Sequence, residues 1–165
     1  MTQQVRSSGK TQIKRTKVSA PMREVVKHLE QWPDGGTILH FGEGKSYYDT
    51  QELEKFGPVR PYDPNSGKES SRILPTERLD VGVAIYVFNT LPPFEREEAF
   101  KTLKALCEHW IIAVRCDHIA GRLYRDGVIT SRGTFQKSYS VQQALDEFGG
   151  KGIIKKTNGY ILLGG

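Results

Sequence analysis

The sequence predicts an α/β fold in which a mostly parallel, Rossmann-like sheet carries helices on both faces and ends in an antiparallel hairpin. Two apolar runs, 81–88 and 110–114, show no alternation with polar residues, which is typical of parallel strands buried on both faces. A helical segment of about 15 residues lies between them, and parallel neighbours require such a crossover. Near the end of the chain, Asn158-Gly159 separates two apolar runs and predicts a hairpin.

The composition predicts one globular domain preceded by a basic arm. The chain has 165 residues, 37% of them hydrophobic, and a net charge of +5. Residues 1–23 contain six basic side chains and no acidic one, so the excess of positive charge lies there. We predict a flexible arm over residues 1–18 and a single globular domain over residues 19–165. Such an arm either binds a polyanion or a carboxylate, or is a solvated tail.

The sequence lacks the features of membrane, secreted and metal-binding proteins. No apolar run reaches the roughly 20 residues that span a bilayer, and the N-terminus has no apolar segment of the secretory type. Two cysteines, Cys107 and Cys116, are too few for a disulfide framework or a four-cysteine zinc site. No cluster of metal ligands is recognisable either. We therefore expect a cytoplasmic protein without a metal.

The first part of the chain is predicted to form a helix and then a strand. Ser19 is a favourable N-cap and Pro21 suits the first helical turn. The segment 32–36, rich in glycine, ends this helix. The β-branched and apolar run 37–41 then predicts the first strand of the sheet.

A short helix and a second strand follow. Thr50 is predicted to cap a helix that ends at about Phe56. Residues 59–62 predict a weaker strand, because Pro61 lacks the N–H group of a ladder residue. Residues 65–72 are polar and are expected to form an exposed loop.

In the second half of the chain, Pro92-Pro93 opens the helix between the two long strands. One side of that helix is expected to be apolar, and Cys107 and Trp110 are expected among its apolar residues. Residues 115–139 are predicted to be mostly loop. Ser140 and Gln143 have the spacing of a capping box and predict a last short helix before the hairpin.

Three candidate ligand-binding features follow predicted strands. In open α/β sheets, ligands bind beyond the carboxyl ends of the strands, where the strand order reverses. The loop Phe41-Gly42-Glu43-Gly44 follows the first strand, Asp63 the second and Asn89 the long strand. The glycines allow a close approach of the backbone, and a carboxylate such as Asp63 can accept both ribose hydroxyls. Together they predict an adenosine-type cofactor, although each also suits a turn or a strand end.

The glycine pattern narrows the choice of cofactor. A dinucleotide site favours a third glycine where Tyr47 stands. The chain also has no P-loop sequence. A nucleoside ligand without a pyrophosphate, such as S-adenosyl-L-methionine, is therefore the expected cofactor.

Several motifs resemble the methyltransferases associated with DNA phosphorothioation, and together they cover most of this chain. The matching segments are Lys10-Thr11-x-Ile13-x-Arg15, Ser19-x-Pro21, Phe41-Gly42-x-Gly44, Tyr62-Asp63-Pro64 and Asp126-Gly127-x-x-Thr130-x-x-Gly133-Thr134-Phe135-Gln136-Lys137-x-Tyr139. The resemblance implies a class I, S-adenosylmethionine-dependent methyltransferase fold. His40 departs from the family pattern, which commonly has an acidic residue at that position near the cofactor's amino group.

The candidate catalytic residues are Asn89 and His118. Asn89 with Pro92 and Pro93 is similar to the [Asp/Asn]-Pro-Pro-aromatic motif of amino-methyltransferases, although two residues separate the asparagine from the prolines. The prolines alternatively serve only to start a helix. His118 follows a strand end and is a candidate base.

The expected acceptor is a nucleic acid, DNA or RNA, because the arm is basic and because basic residues are interleaved with aromatic ones in the loop 115–139. The loop is alternatively a lid over the cofactor. The candidate acceptor-binding residues are Lys10, Lys14, Arg15, Pro92, Pro93, Thr134, Phe135, Gln136 and Lys137. The alternatives to a methyltransferase are a non-catalytic module that binds S-adenosylmethionine and a nucleic-acid-binding protein on a degenerate methyltransferase fold.

Overall fold

The computed structural model describes residues 10, 12–31, 36–45 and 47–165. The predicted fold class is confirmed, since a six-stranded sheet carries helices on both faces and ends in an antiparallel hairpin. The helices and strands are α1 (Ala20–Leu29), β1 (Ile38–Phe41), α2 (Tyr47–Glu54), β2 (Val59–Tyr62), β3 (Leu79–Ile85), α3 (Pro93–Leu106), β4 (Cys107–Arg115), β5 (Arg122–Tyr124), β6 (Gly127–Ile129), β7 (Phe135–Gln136), α4 (Val141–Phe148), β8 (Gly152–Lys156) and β9 (Tyr160–Gly164). Two short 3₁₀ helices span Glu69–Arg72 and Phe88–Thr90.

The six strands lie in the order β2-β1-β3-β4-β9-β8. The first four are parallel to one another, and β9 is antiparallel to both of its neighbours. From β1 the chain continues to β2 on one side and then returns to β3 on the other side. The strand order therefore reverses between β1 and β3, which is where such sheets open a crevice at the carboxyl ends of their strands.

Two apolar clusters, one on each face, hold the helices to the sheet. On one face Met22 and Val25 of α1 join Leu53 of α2 against the strands. On the other face Phe88 is fully buried among aromatic rings. Its ring centroid lies 5.7 Å from that of Phe100 and 5.4 Å from that of Phe148. This stacking anchors the chain directly after β3 to α3 and α4.

The predicted helix caps at Ser19 and Ser140 and the terminal hairpin are confirmed. Ser19 Oγ accepts a hydrogen bond from Met22 N at 3.3 Å, as an N-cap does. Ser140 and Gln143 exchange the two hydrogen bonds of a capping box at 3.1 and 2.9 Å. The segment 32–35, expected to end the first helix, and most of the predicted basic arm lie outside the described residues.

The predicted cap at Thr50 is wrong. Helix α2 begins at Tyr47, so Thr50 lies inside it. The Thr50 hydroxyl is engaged elsewhere, 2.8 Å from Nδ1 of the buried His40. The hydrogen bond between Thr50 and the buried His40 is a tertiary contact. The local sequence around Thr50 does not indicate it.

Two boundaries in the sheet also differ from expectation. The long strand β3 starts two residues earlier than predicted and ends at Ile85, so residues 86–88 have already left the sheet. Cys107, expected on the helix, belongs to β4, and so does Trp110, which was predicted both on the helix and as the first residue of the strand 110–114. The reason is that α3 connects to β4 without a loop, so apolar residues of both elements form one continuous pattern.

The segment predicted as loop contains a second sheet, the accessory sheet, formed by β5, β6 and β7. Four buried or half-buried charged side chains attach it to the helices. Arg96 of α3 donates hydrogen bonds to Asp126 and Glu147. Lys137 Nζ donates to the same carboxylates at 2.9 and 3.1 Å. Burial opposes ionisation of Asp126, but the hydrogen bonds from Lys137 and Arg96 prevail and lower its pKa.

We predict that this ion cluster is essential to stability. Arg96 is only 3% exposed, and Arg96→Leu removes its hydrogen bonds to Leu91 O and to the partly exposed carboxylates of Asp126 and Glu147. The variant should lower the free energy of unfolding by about 1.5–3 kcal/mol. The matched control is Lys101→Leu on the same helix, whose ion pairs with Glu97 and Glu98 are exposed and should contribute little to stability. Urea unfolding followed by circular dichroism measures both. Equal, small losses of unfolding free energy in the two variants would contradict a stabilising role for the ion cluster.

Candidate functional site

A cavity of about 470 Å³ opens at the carboxyl ends of the parallel strands. Loops after β1, β2, β3 and β4 contribute to its wall, as expected where the strand order reverses. The N-terminal segment 12–15 and one residue of the accessory sheet complete it. The sequence-predicted residues that line this cavity are Arg15, Gly42, Glu43, Gly44, Asp63, Asn89 and Gln136.

Other predicted site residues lie away from the cavity wall. Phe135 is buried in the protein, with its ring 6.5 Å from that of Tyr124, and Lys137 belongs to the ion cluster. His118 is exposed. Within the described part of the chain, the cavity lining also omits Lys10, Lys14, Phe41, Pro92, Pro93 and Thr134.

The glycine loop is built around two left-handed residues, Gly42 (φ +73°) and Gly44 (φ +66°). A Cβ atom on Gly42 would lie 2.3 Å from Val87 Cγ2, so close packing excludes any side chain there. At Gly44 the nearest atom would be Gln12 Cγ at 3.8 Å, and only the backbone conformation favours glycine. The loop therefore presents bare backbone to the cavity.

The Asp63 carboxylate fixes the position of this loop. Its Oδ2 accepts hydrogen bonds from Gly44 N at 3.0 Å and from Gln12 Nε2 at 2.7 Å. Its Oδ1 accepts one from Asn65 N at 2.8 Å. Two of these bonds are made by backbone, whereas the bond from Gln12 comes from a side chain of the N-terminal segment. A ligand with hydroxyl donors can therefore replace Gln12 without dismantling the loop.

His40, beneath the glycine loop, is buried and neutral. Desolvation lowers the pKa of His40, although the nearby carboxylates Asp49, Glu43 and Asp63 act in the opposite direction. Asp49 in turn accepts hydrogen bonds from Ser19 N and Ser19 Oγ, both at 2.7 Å. The side of the cavity next to the glycine loop is thus acidic, even though His40 stands where the resemblance implies an acid.

The chain leaves β3 through an unusual backbone conformation. Tyr86 has φ +58°, a left-handed value that costs energy for a residue other than glycine. Burial raises the pKa of Tyr86 to about 12, so its phenol is protonated at neutral pH. The guanidinium carbon of Arg15 lies 5.8 Å from the centroid of its ring. The N-terminal segment therefore contacts the cavity on both sides, at Asp63 and at Tyr86.

Asn89 lies at the bottom of the cavity and is only 1% exposed. Its Nδ2 donates a hydrogen bond to Gln136 Oε1 at 3.0 Å, and its backbone carbonyl accepts one from Lys137 N at 2.7 Å. Among the described residues, no group donates a hydrogen bond to Asn89 Oδ1. The site thus holds an unused hydrogen-bond acceptor.

At the end of β4, Arg115 forms an ion pair with Asp117 on the cavity wall. Arg115 Nε donates to Asp117 Oδ1 at 2.9 Å, and its Nη2 donates to the other oxygen. The hydrogen bonds from Arg115 lower the pKa of Asp117 despite some desolvation. The cavity lining thus includes the cations Arg15 and Arg115 as well as the acidic residues near the glycine loop.

Among the residues of this site that sequence reasoning missed are Gln12, Asp49 and Tyr86. Gln12 and Asp63 are 51 positions apart, and Ser19 and Asp49 are 30 apart. No local pattern reports such contacts. The only available signal was for Tyr86, because it directly follows a strand whose end was expected near the ligand.

Two negative findings concern the described residues alone. They contain no group of three or more side chains arranged to hold a metal ion. None of their helices combines the length and the apolar character needed to cross a membrane.

The strand order and the position of the cavity define a Rossmann-like sheet of the class I methyltransferase type, and similar solved structures agree. This chain is similar to 1,6-didemethyltoxoflavin-N1-methyltransferase from Burkholderia thailandensis, with bound 1,6-didemethyltoxoflavin and S-adenosylhomocysteine. The TM-score is 0.63 at 15% identity, over 88% of this chain and 77% of that one.

Two further structures are similar at the same level. One is an S-adenosylmethionine-dependent methyltransferase from Aquifex aeolicus, with TM-score 0.54 and 15% identity over 87% of both chains. The other is the N-terminal domain of EvdMO1 in the presence of S-adenosylhomocysteine and D-fucose, with TM-score 0.56 and 12% identity over 88% of this chain and 82% of that one. No protein-family model and no curated protein matches the sequence. These likenesses establish the fold.

The buried His40 predicts a specific dependence of stability on pH. Its pKa is below the ordinary 6.5 in the folded protein, so below about pH 6.5 the unfolded chain binds a proton that the folded chain does not. The free energy of unfolding should therefore fall with decreasing pH from about 6.5, by up to about 1.4 kcal/mol per pH unit. His40→Gln should abolish this slope between about pH 6.5 and 5, where carboxylates scarcely titrate.

Denaturant unfolding at a series of pH values measures the effect. His118→Gln is the matched control, because His118 is exposed, and it should retain the slope. A wild-type stability that is flat over this range would contradict the assignment to His40.

Proposed function

We propose that this protein is an S-adenosylmethionine-dependent methyltransferase. The observation that carries the proposal is the position of Asp63 and the glycine loop, together at the reversal of strand order. Similar folds that hold S-adenosylhomocysteine support it. The fold alone does not fix the chemistry, so the residues of the cavity must fit the cofactor.

They fit in three respects. The Asp63 carboxylate has one oxygen bound to a replaceable side chain, Gln12, and can accept ribose hydroxyls there. Bare backbone at Gly42 and Gly44 leaves room for a close approach. The acidic groups around His40 favour a ligand with positive charge. S-adenosylmethionine, when bound, supplies an electrophilic methyl group on a sulfonium.

The chain's own contribution to catalysis is alignment of an acceptor with that methyl group, which accelerates reaction without a triad or metal. Asn89 and Tyr86 follow β3 and line the cavity, and their proposed role is to contact an acceptor beside the cofactor. His118 as a base stays a prediction, and it would have to act from outside the described cavity lining.

The proposed acceptor is nucleic acid. Exposed cations support this proposal: Lys14 and Lys17 lie in the N-terminal segment, and Arg122, Arg125 and Arg132 lie on the accessory sheet. The motif resemblance to methyltransferases associated with DNA phosphorothioation points to DNA. A non-catalytic module that binds the cofactor is the second candidate, favoured by the position of the candidate base His118 outside the described cavity lining. Cofactor binding without transfer to any acceptor would select the second candidate.

Asp63→Ala should weaken binding of S-adenosylmethionine because a charge-assisted hydrogen bond is lost. The loss of about 1.5–3 kcal/mol corresponds to roughly a ten- to 150-fold increase in Kd, measured by calorimetry. Asp80→Ala is the matched control, since Asp80 also accepts backbone and hydroxyl hydrogen bonds, from Thr37 at 2.6 and 2.8 Å, but at the start of β3. Its Kd should equal that of wild type. An unchanged Kd in a folded Asp63→Ala variant would remove Asp63 from the cofactor site.

Neutralising the arm should reduce the salt dependence of nucleic-acid binding. Lys10, Lys14 and Lys17 are exposed, and their joint replacement by Gln keeps the contacts of Gln12 and Arg15. If each lysine neutralises a phosphate, the slope of log affinity against log salt for a single-stranded oligonucleotide should become shallower by about 2.

The control for this experiment replaces three lysines that pair with glutamates on helices, Lys27, Lys55 and Lys101. It makes the same change in net charge and should leave the slope unaltered. Equal slopes for the two triple variants would mean that the lysines of the arm are solvated and do not contact nucleic acid.

A further inference from the structure

Asn89 Oδ1 is exceptional among the polar atoms of the cavity residues. Buried side-chain oxygens normally accept at least one hydrogen bond. Three buried side-chain atoms in the described part of the chain have no partner, and Asn89 Oδ1 is the one that belongs to a cavity residue. The other two, Ser71 Oγ and Tyr139 Oη, can each rotate a hydroxyl proton, whereas a carboxamide oxygen can only accept. Asn89 therefore requires a donor from outside the described structure.

Gln136 holds the Asn89 side chain in the orientation that leaves this oxygen unused. Its Oε1 accepts the hydrogen bond from Asn89 Nδ2 at 3.0 Å. Gln136 also lines the cavity, and its own Nε2 donates no hydrogen bond to any described residue. The two touching carboxamides thus offer one acceptor and one donor that the protein does not use.

The accessory sheet is anchored so that it delivers Gln136 to this position. Lys137 donates its backbone N–H to Asn89 O at 2.7 Å and its side chain to the ion cluster. On the other side, the hydroxyls of Thr130 and Thr134 lie 2.9 Å apart and close the turn before β7. No described residue of this sheet other than Gln136 lines the cavity.

We propose that the Asn89–Gln136 pair recognises the N–H edge of a planar heterocyclic acceptor, with Asn89 Oδ1 accepting from the ring N–H and Gln136 Nε2 donating to the adjacent ring carbonyl. This inference rests on the proposed function for the identity of the second ligand. An unused acceptor beside an unused donor matches a lactam, whose N–H and C=O are neighbours in one plane. A carboxylate offers no donor to Asn89. A single hydroxyl can donate to Asn89 Oδ1 and accept from Gln136 Nε2 only if one atom meets both groups, whereas a lactam presents its donor and its acceptor on adjacent atoms.

The same lactam edge occurs in a free heterocycle and in a base of a nucleic acid. A base in a duplex presents this edge only after it is flipped out of the stack. The chemistry at Asn89 and Gln136 is identical in both cases, so the experiment must separate the two sources.

The first measurement uses wild-type protein saturated with S-adenosylhomocysteine. Ligand-observed NMR compares the binding of uracil, xanthine and lumazine with that of 1,3-dimethyluracil, caffeine and 1,3-dimethyllumazine, in which N-methyl groups block the ring N–H. We expect at least tenfold tighter binding of at least one N–H heterocycle than of its methylated partner. Equal binding within all three pairs, or no binding of any N–H heterocycle, would overturn the inference. A 12-nucleotide single strand of thymidines and its N3-methylated form provide the nucleic-acid arm.

The second measurement tests Gln136 itself. Gln136→Glu keeps an oxygen for Asn89 Nδ2 but removes the donor, so the preferred heterocycle should lose at least tenfold in affinity while S-adenosylhomocysteine binds as in wild type. Gln51→Glu, at an exposed position of α2, makes the same change in charge and should alter neither. Unchanged heterocycle affinity in a folded Gln136→Glu variant would overturn the role of Gln136.

These outcomes separate the inference from the proposed function. Calorimetry with S-adenosylhomocysteine alone tests the cofactor site. If the cofactor product binds and the N-methyl pairs are not distinguished, the inference fails and the proposed function stands. If the cofactor product does not bind, the proposed function fails, and the comparison of N–H and N-methyl ligands on the free protein still decides the inference. The N-methyl comparison uses wild type, so it holds even if Gln136→Glu does not fold.

Discussion

The parallel pairing of β2, β1, β3 and β4 is the constraint on which the rest of the structure depends. Parallel neighbours must be joined by crossovers, so every strand ends at the same edge and every exit loop starts there. Because the order reverses between β1 and β3, the loops after those strands separate and leave a cavity. Residues at or after the ends of four different strands therefore meet at this cavity. They are Gly42, Asp63, Tyr86, Asn89 and Arg115.

Around this edge the protein uses two different kinds of attachment. Near β1 and β2, backbone hydrogen bonds to the Asp63 carboxylate fix the glycine loop. Near β3, the attachment is made by side chains. Phe88 packs among aromatic rings, and the ion pairs of Arg96 and Lys137 attach the accessory sheet to the helices. The first arrangement forms a site of fixed shape, and the second allows an element outside the main sheet to contribute to the wall.

The sequence predicted the sheet well because its central strands are long apolar runs, and Asn158-Gly159 marks the hairpin by its backbone preferences. The accessory sheet was not predictable, since strands of two or three residues are too short to show any periodicity. The site was predicted at Gly42, Asp63 and Asn89, which follow strands. Contacts that depend on tertiary structure, such as that between Gln12 and Asp63, leave no local pattern.

The way in which the accessory sheet is attached bears on how this scaffold can diverge. The sheet shares no strand pairing with the main sheet, and Gln136 is its sole described contribution to the cavity. An exchange at position 136 therefore changes the chemistry of one wall while leaving the glycine loop, Asp63 and both apolar clusters untouched. Different residues determine which ligand the cavity binds and how the chain folds. The ligand preference can therefore change while the fold is kept.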